Sequence, residues 1–475
     1  MENQGYQERV AAAYARMAEK DGRVSRPVYH LTPVAGTLAD PNGLAQVGDT
    51  CHVMFINNPL GCEVEGRTPS VWAHLTTRDF LTWHREPVAV WPDHVRDVNG
   101  VYSGSALVRG EKMYLFYTGN VRHEGDFDYV NSGREQNVMR VESLNSDLTE
   151  FGEKVLLMTN DDFPATMTQH VRDPQMIERD GHVYMLLGAR TKEDTGCVLV
   201  YQGDDLTHFS LVNVLQTAEK FGYMWECPDL ATLADRDFLL ACPQGIAHET
   251  HRYQNSHQCG YFALSGGFEN DCMVGEFRQW DYGFDFYAAR TLRGADRTLL
   301  IGWLGMAETS YGQTPSRADG WNQVIAMPRE LFWCDGRIFQ RPVREIERLR
   351  GGRTELEGKA ALYGRHFELD MTLAQGSPVR IRLREDCELS YSPDSGELVL
   401  SMGPACGAGR DERRLLVPEL VSLRVFVDDT TLEIFVNDGW CTLTSRVFGA
   451  SDECLIEAPG STGTFWEMNG FTIGD

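Results

Sequence analysis

The sequence contains no run approaching the ~18 uninterrupted apolar residues that a membrane-spanning helix needs. It is also poor in positive charge: 44 Lys and Arg face 69 Asp and Glu, a formal net charge of −25 over 475 residues. Nucleic acid and anionic membranes both recruit clustered cations, so neither is an expected partner. Residues 1–23 hold no apolar leader, because Glu8, Arg9, Glu19, Lys20 and Asp21 interrupt them, and no export signal is expected. The twelve cysteines form no C-x-x-C pair, and no N-x-S/T sequon occurs. Irregularly spaced thiols without an export signal fit a cytoplasmic location, with free buried thiols and no metal site. No glycine-rich phosphate loop opens a helix, and no cofactor is expected. His248-Glu-Thr-His251 lacks the His-x-x-x-His spacing of a zinc helix and reads as a loop.

What is present is ordinary globular composition, 42% hydrophobic and 24% charged. Tyr6, Val10, Tyr14 and Met17 fall at helical spacing, which predicts a short N-terminal helix within residues 1–25. From about residue 30 to 340 helical periodicity disappears, and one pattern recurs five times: an apolar strand, a polar turn, a stronger apolar strand. The turns are Gly48-Asp49, Arg109 to Lys112, Asp180-Gly181, Ala234 to Asp237 and Gly294 to Arg297. Each is a hairpin signal, and a spacing of roughly 50–70 residues fits propeller blades with long loops. The expected fold is therefore all-β: a five-bladed β-propeller over 26–340, then a linker over 341–355 where the chain turns charged and helix-like. Short alternating strands follow, among them His366 to Leu373, Glu397 to Met402 and Leu432 to Val436, and predict a β-sandwich over 356–475. The sandwich and the N-terminal helix both offer surface for a homodimer.

The first strand of each propeller blade lines the central channel, so residues near its start converge. There the repeats carry Asp40-Pro-Asn-Gly43, Ser103-Gly-Ser105, Arg172-Asp-Pro174, Glu226-Cys-Pro228 and Asp285-Phe-Tyr287. Asp40, Asp173 and Glu226 are read as equivalent positions aimed at one channel. Convergent carboxylates repel, so at least one is expected to hold a proton near neutrality. One protonated acid beside one ionised carboxylate is what glycoside hydrolysis requires.

These motifs resemble glycoside hydrolase family 32, the invertase and fructosidase group. His30-Leu-Thr-Pro33 and Asp40-Pro-Asn-Gly43 resemble its nucleophile region, and Trp72 to Trp83 the segment after it. Tyr102-Ser-Gly-Ser105, Arg172-Asp-Pro174, Glu226-Cys-Pro228, Asp285-Phe-Tyr-Ala288, Gly302-Trp303 and Met327-Pro-Arg-Glu-Leu331 follow in the family's order. Leu423 to Gly439 is similar to its sandwich domain. The resemblance implies a sugar substrate: sucrose, sucrose 6-phosphate or a short fructo-oligosaccharide. It implies Asp40 as nucleophile, Glu226 as acid and base, and Asp173 as transition-state stabiliser. Configuration would be retained through a covalent fructosyl-enzyme, with about 5–5.5 Å between nucleophile and acid. Arg172 is expected to keep Asp173 ionised, and Cys227 to give Glu226 an apolar neighbour. Trp72 and Trp303 would be sugar-facing walls, while Asn42, Tyr102 and Ser103 would contact the substrate. Asn57 would stand where the family usually has Gln.

The sequence departs from the family just before the nucleophile. The family's Trp-Met-Asn is here Thr37-Leu38-Ala39, which removes an aromatic wall and a carboxamide. One lost hydrogen bond to substrate costs ~0.5–1.5 kcal/mol, up to about tenfold in rate. Two alternatives follow: a fructosyltransferase on the same scaffold, and a carbohydrate-binding propeller without catalysis.

Overall fold

The computed structural model of the chain describes residues 3–20, 25–64, 66–294, 296–311 and 315–474. Helix α1 (Asn3–Glu19) buries Tyr6, Val10, Ala13 and Met17 on one face, as spacing by three and four dictates. The Tyr6 hydroxyl donates to the Pro69 carbonyl at 2.6 Å, fastening the helix to the body. Tyr14 is only half-buried. Within the expected segment 1–25, residues 1, 2 and 21–24 lie outside the described residues.

All five expected hairpins form, with longer strands than the sequence indicated. The first sheet contains β1 (Gly36–Val47), β2 (Thr50–Asn58), β3 (Val71–Thr77) and β4 (Thr82–Val90). The second contains β5 (Val101–Arg109), β6 (Lys112–Arg122), β7 (Arg134–Glu142) and β8 (Val155–Met158). The third contains β9 (Met167–Arg179), β10 (His182–Thr191), β11 (Gly196–Gly203) and β12 (Ser210–Leu215). The fourth contains β13 (Met224–Leu233), β14 (Arg236–Gln244), β15 (Gly260–Ser265) and β16 (Met273–Gln279). Asp180 and Gly181, both at positive φ, make the two-residue turn of the third hairpin, the backbone twist that a tight hairpin requires.

The expectation of five equivalent blades is corrected at this point. Four sheets share one rule, four sequential antiparallel strands, and the last is built differently. It begins with β17 (Tyr287–Arg293) and β18 (Thr298–Leu304). The next segment supplies β19 (Trp321–Asn322), parallel to β1 in the first sheet, and β20 (Val324–Ile325), paired with β18. Only then do β21 (Arg329–Cys334) and β22 (Arg337–Pro342) complete the sheet. The inserted segment ties the last sheet to the first, which is why regularity fails there. The innermost strands pack side by side in cyclic order, β1 against β5, β9, β13 and β17 in turn and β17 back against β1, so the arrangement is propeller-like.

The expected linker 341–355 is likewise corrected. β22 runs to Pro342, a 3-10 helix occupies Arg344–Leu349, and a long strand, Arg350–Tyr363, starts immediately after it. Gly351 and Gly352 therefore lie inside a strand. The remaining strands join Arg350–Tyr363 in one ten-stranded, sandwich-like sheet around its own core of Leu369, Ile381, Leu400, Val425, Ile434 and Ile456. Thr472–Gly474 then returns to pair in parallel with β4.

A buried polar network welds the two parts together. Arg329, fully buried on β21, donates to Glu433 at 2.7 Å, Asp281 at 3.2 Å, Gln340 at 2.8 Å and Thr442 at 3.0 Å. His30 bridges Asp428 at 2.8 Å and Glu433 at 3.0 Å. Burial pulls the imidazole towards neutrality, but the two carboxylates outweigh it and raise its pKa to about 9.

Candidate active site

Every innermost strand breaks register with its neighbour at the same place. Ala39 and Asp40 lie between the paired positions Leu38 and Pro41 of β1. Tyr102 and Ser103 do the same in β5, Asp173 and Pro174 in β9, Cys227 and Pro228 in β13, and Ala288 and Ala289 in β17. In each case two residues oppose one, a β-bulge, and bulges turn side chains out of the regular alternation. Asp173, Cys227 and Ala288, the first bulge residue of three consecutive blades, all adopt positive φ of 66°, 49° and 49°. That conformation is costly without glycine, so the surrounding structure holds it in place. The bulges also correct the sequence reading. Glu226 precedes its bulge, Asp173 is the first bulge residue and Asp40 the second, so the three carboxylates are not equivalent by repeat. They meet because consecutive bulge positions project into the channel from different directions.

The meeting point is a cavity of about 290 Å³ lined by Asp40, Ile56, Arg67, Ser70, Tyr102, Ser103, Arg134, His170, Arg172, Asp173, Glu226, Gln244 and Glu308. Ser103 donates to Asp40 Oδ2, and the Cys227 thiol donates to the same oxygen at 3.6 Å. The Cys227 backbone N–H donates to Asp173 Oδ2 at 2.9 Å. Glu226 is held on both oxygens: Arg172 Nη2 at 2.5 Å on Oε1, and Gln244 Nε2 at 2.7 Å with the Tyr287 hydroxyl at 2.6 Å on Oε2. Arg172 Nε stands 3.9 Å from Asp173 Oδ2. The arginine expected to keep Asp173 ionised therefore grips Glu226 more closely.

These contacts set the proton affinities. Burial raises the Asp40 pKa to about 6, helped by the Asp173 and Glu226 charges and opposed by Ser103 and Arg290. Burial also raises Asp173, against the pull of Arg172. For Glu226 burial acts upward, but the Arg172 charge and the hydrogen bonds from Tyr287 and Arg172 win, and its pKa falls below the ordinary glutamate value. Burial and the neighbouring Arg172 and Arg134 charges lower His170 to about 3, so it is neutral. The cavity is also lined by Arg134, next to His170 and with its pKa lowered by burial and Arg172 to about 10, and by the exposed Arg67. Neither makes an ion pair with a carboxylate among the described residues. Among those residues no group of three or more His, Cys, Asp and Glu is arranged to hold a metal ion.

The sequence-derived residues divide accordingly. Asp40, Tyr102, Ser103, Arg172, Asp173 and Glu226 line the cavity, and Cys227 lies directly behind it. Asn42 does not line it: fully buried, it accepts from the Gly104 N–H at 2.8 Å and donates to the Asp40 carbonyl at 2.8 Å, bracing β1 against β5. Asn57 faces the other way and donates to the Tyr14 hydroxyl at 3.2 Å, because successive strand residues point to opposite sides; its neighbour Ile56 lines the cavity instead. Trp72 is core, with its indole N–H on the Tyr102 carbonyl at 3.1 Å and its ring edge-on to Tyr117. Trp303 is buried edge-on against Tyr287, behind the wall. Asp285 points to the sandwich, paired with Arg410 at 2.8 Å. Gln244, Tyr287, Arg134 and His170 escaped the sequence reading. Tyr287 was recoverable, since in β17 it holds the position that Glu226 holds in β13; Arg134, on β7, had no such signal.

The family models decide what this cavity belongs to. Residues 30–342 match the glycosyl hydrolases family 32 N-terminal domain, and residues 345–469 match the family's C-terminal domain. The chain belongs to glycosyl hydrolases family 32. A family 32 chain is a glycoside hydrolase, and its relatives agree. It is 35% identical over 432 residues to a sucrose-6-phosphate hydrolase of Klebsiella pneumoniae, covering 89% of this chain and 88% of that one. The structure of a sucrose-6-phosphate hydrolase from Lactobacillus gasseri superposes with a TM-score of 0.87 at 27% identity, covering 97% of both chains. A variant of a Bombyx mori family 32 β-fructofuranosidase, in complex with sucrose, superposes with a TM-score of 0.83 at 25% identity, covering 98% of this chain and 99% of that one. Among the described residues no helix is long and apolar enough to cross a membrane.

Proposed function

We propose that this family 32 hydrolase releases fructose from sucrose 6-phosphate with retention of configuration, in the cytoplasm. The observation that carries the substrate is the cavity itself, where Arg67 and Arg134 line the same space as Asp40, Asp173, Glu226 and Glu308 and, among the described residues, neither arginine is ion-paired with a carboxylate. A phosphate on the glucosyl unit supplies the missing partner, and Arg is the side chain best shaped to hold it. In a chain of net charge −25, two such arginines in one cavity need a reason.

Asp40 is the nucleophile that attacks the fructosyl anomeric carbon. Glu226 protonates the departing glycosidic oxygen, then removes a proton from water as it attacks the fructosyl–Asp40 ester. Asp173, held by the Cys227 N–H, stabilises the oxocarbenium-like transition state. In the open site the proton sits more readily on Asp40 than on Glu226. Catalysis needs the reverse distribution, which differs by one proton moved and not by net charge. A substrate filling the cavity expels water from around Glu226, and desolvation pushes that carboxyl towards its neutral form. The five innermost strands supply the blades of a five-bladed propeller in this reading, with the differently built sheet as the fifth.

The test is fructose release from sucrose 6-phosphate, sucrose, kestose and inulin. Sucrose 6-phosphate should exceed sucrose in kcat/KM by at least tenfold, with Asp40→Ala and Glu226→Ala inactive. Equal use of both sucroses would refute the phosphate assignment. No fructose from any substrate would refute hydrolysis.

A further inference from the structure

Three cysteines run in line behind the carboxylates. Cys227 donates its thiol to Asp40 Oδ2 at 3.6 Å. Cys242, opposite Glu226 in the ladder of β13 and β14, shares a hydrogen bond with the Cys227 thiol. Its Sγ lies 3.4 Å from Sγ of Cys259. Pairing of β14 with β15 sets Ala241 against Gly260, and further along Gln244 bridges His257, so the same register puts Cys242 directly opposite Cys259. Directly opposed residues of antiparallel strands have Cα atoms about 4.5 or 5.5 Å apart. A disulfide accepts about 4.4–6.8 Å, so the Cα separation of either kind of pair is within its range.

We propose that Cys242 and Cys259 form a reversible disulfide when the enzyme meets a hydroperoxide, and that closing it slows the reaction at the neighbouring site. The slowing rests on Asp40 and Glu226 being the reacting pair; the disulfide does not. Cys259, 6% exposed against 0% for Cys242, meets the oxidant first. Its sulfur attacks one peroxide oxygen, the O–O bond breaks, and the thiol becomes a sulfenic acid as one water leaves. The Cys242 sulfur then attacks that sulfur, the S–O bond breaks, and the hydroxide departs as water with the Cys242 proton. Two thiols and one hydrogen peroxide thus give one disulfide and two waters. Cys242 stays protonated by burial, which slows the second step, but contact at 3.4 Å gives it a near-attack position. Cys227 is the poorer target. Its bond to Cys242 lowers its pKa, yet burial and the Asp173 and Asp40 charges keep it at about 12. Closing the disulfide draws Cys242 Sγ towards Cys259 and away from Cys227, and the thiol that faces Asp40 loses that neighbour.

The experiment titrates the full-length enzyme with hydrogen peroxide and reads two quantities: cross-linked peptides by mass spectrometry, without substrate, and kcat. A Cys242–Cys259 peptide should appear as kcat falls about fivefold, the size of one lost hydrogen bond, and dithiothreitol should reverse both. Cys259→Ser should keep its basal kcat and resist peroxide. Absence of the cross-link, a Cys227–Cys242 cross-link in its place, or equal peroxide sensitivity in Cys259→Ser would overturn the proposal. A cross-link that leaves kcat unchanged would overturn the coupling. Full activity in Asp40→Ala would instead overturn the assignment of the reacting pair while leaving the cross-link standing.

Discussion

Replacing Tyr287 by Phe tests how the site controls its proton. The Tyr287 hydroxyl donates to Glu226 Oε2 at 2.6 Å, inside a buried site where Arg172 and Gln244 hold the same carboxylate. All three contacts favour the ionised form. A hydrogen bond to a charged acceptor contributes about 1.5–3 kcal/mol, and one pKa unit corresponds to about 1.4 kcal/mol. Removing the hydroxyl should therefore raise the Glu226 pKa by about one to two units, moving it back towards or above the ordinary glutamate value. The sign is fixed, because losing a partner of the charged form makes protonation easier. The assay is kcat/KM against pH from 4 to 9 for fructose release, comparing wild type with Tyr287→Phe and checking folding by thermal melts. One limb of the profile should move to higher pH by one to two units while the other, governed by Asp40, moves much less. A shift to lower pH, or both limbs moving equally, would refute this account of the Glu226 environment.

Three further outcomes are expected. Arg134→Ala should raise KM for sucrose 6-phosphate at least tenfold while changing sucrose hydrolysis less than twofold, if Arg134 holds the proposed phosphate; equal effects on both sugars would count against it. Arg329→Met should destabilise the fold by about 3–5 kcal/mol in denaturant unfolding, because it strands Glu433 and Asp281 as buried charges. The double variant Arg329→Met/Glu433→Gln should recover part of that loss, and no recovery would show the pair is not coupled. His30, with a pKa raised from about 6.5 to about 9, contributes stability that is complete below 6.5 and lost as pH rises through 9. Thermal stability should fall over that window, and His30→Phe, less stable throughout, should show a flatter profile there.

Much of the fold was legible because hairpins are local. Asp180-Gly181 can hardly be anything but a tight turn, and the apolar runs beside it are the right length for strands. The blade count was less legible, since β19 and β20 are two residues each and pair with strands far away in sequence. No periodicity can be read from two residues. The site residues divided along the same line. Asp40, Asp173 and Glu226 stand out by motif, but Asn57 and Ile56 are adjacent, and choosing between them needs the strand's phase. Trp72 and Trp303 carry aromatic rings that suit a sugar face or a core equally well, and packing buried both, Trp72 against Tyr117 of the next sheet and Trp303 against Tyr287.

The residues alone determined an all-β chain, the five hairpins, and three carboxylates that line one cavity, because each of these is a short-range pattern of side-chain types. Tertiary structure decided what those carboxylates do. Arg172 adjoins Asp173 in the chain yet grips Glu226, Tyr287 arrives from another sheet to join it, and Arg134 reaches the same cavity from the second sheet. Proton affinity depends on burial and on charges a few ångströms away, and those distances exist only once the strands have closed into a ring.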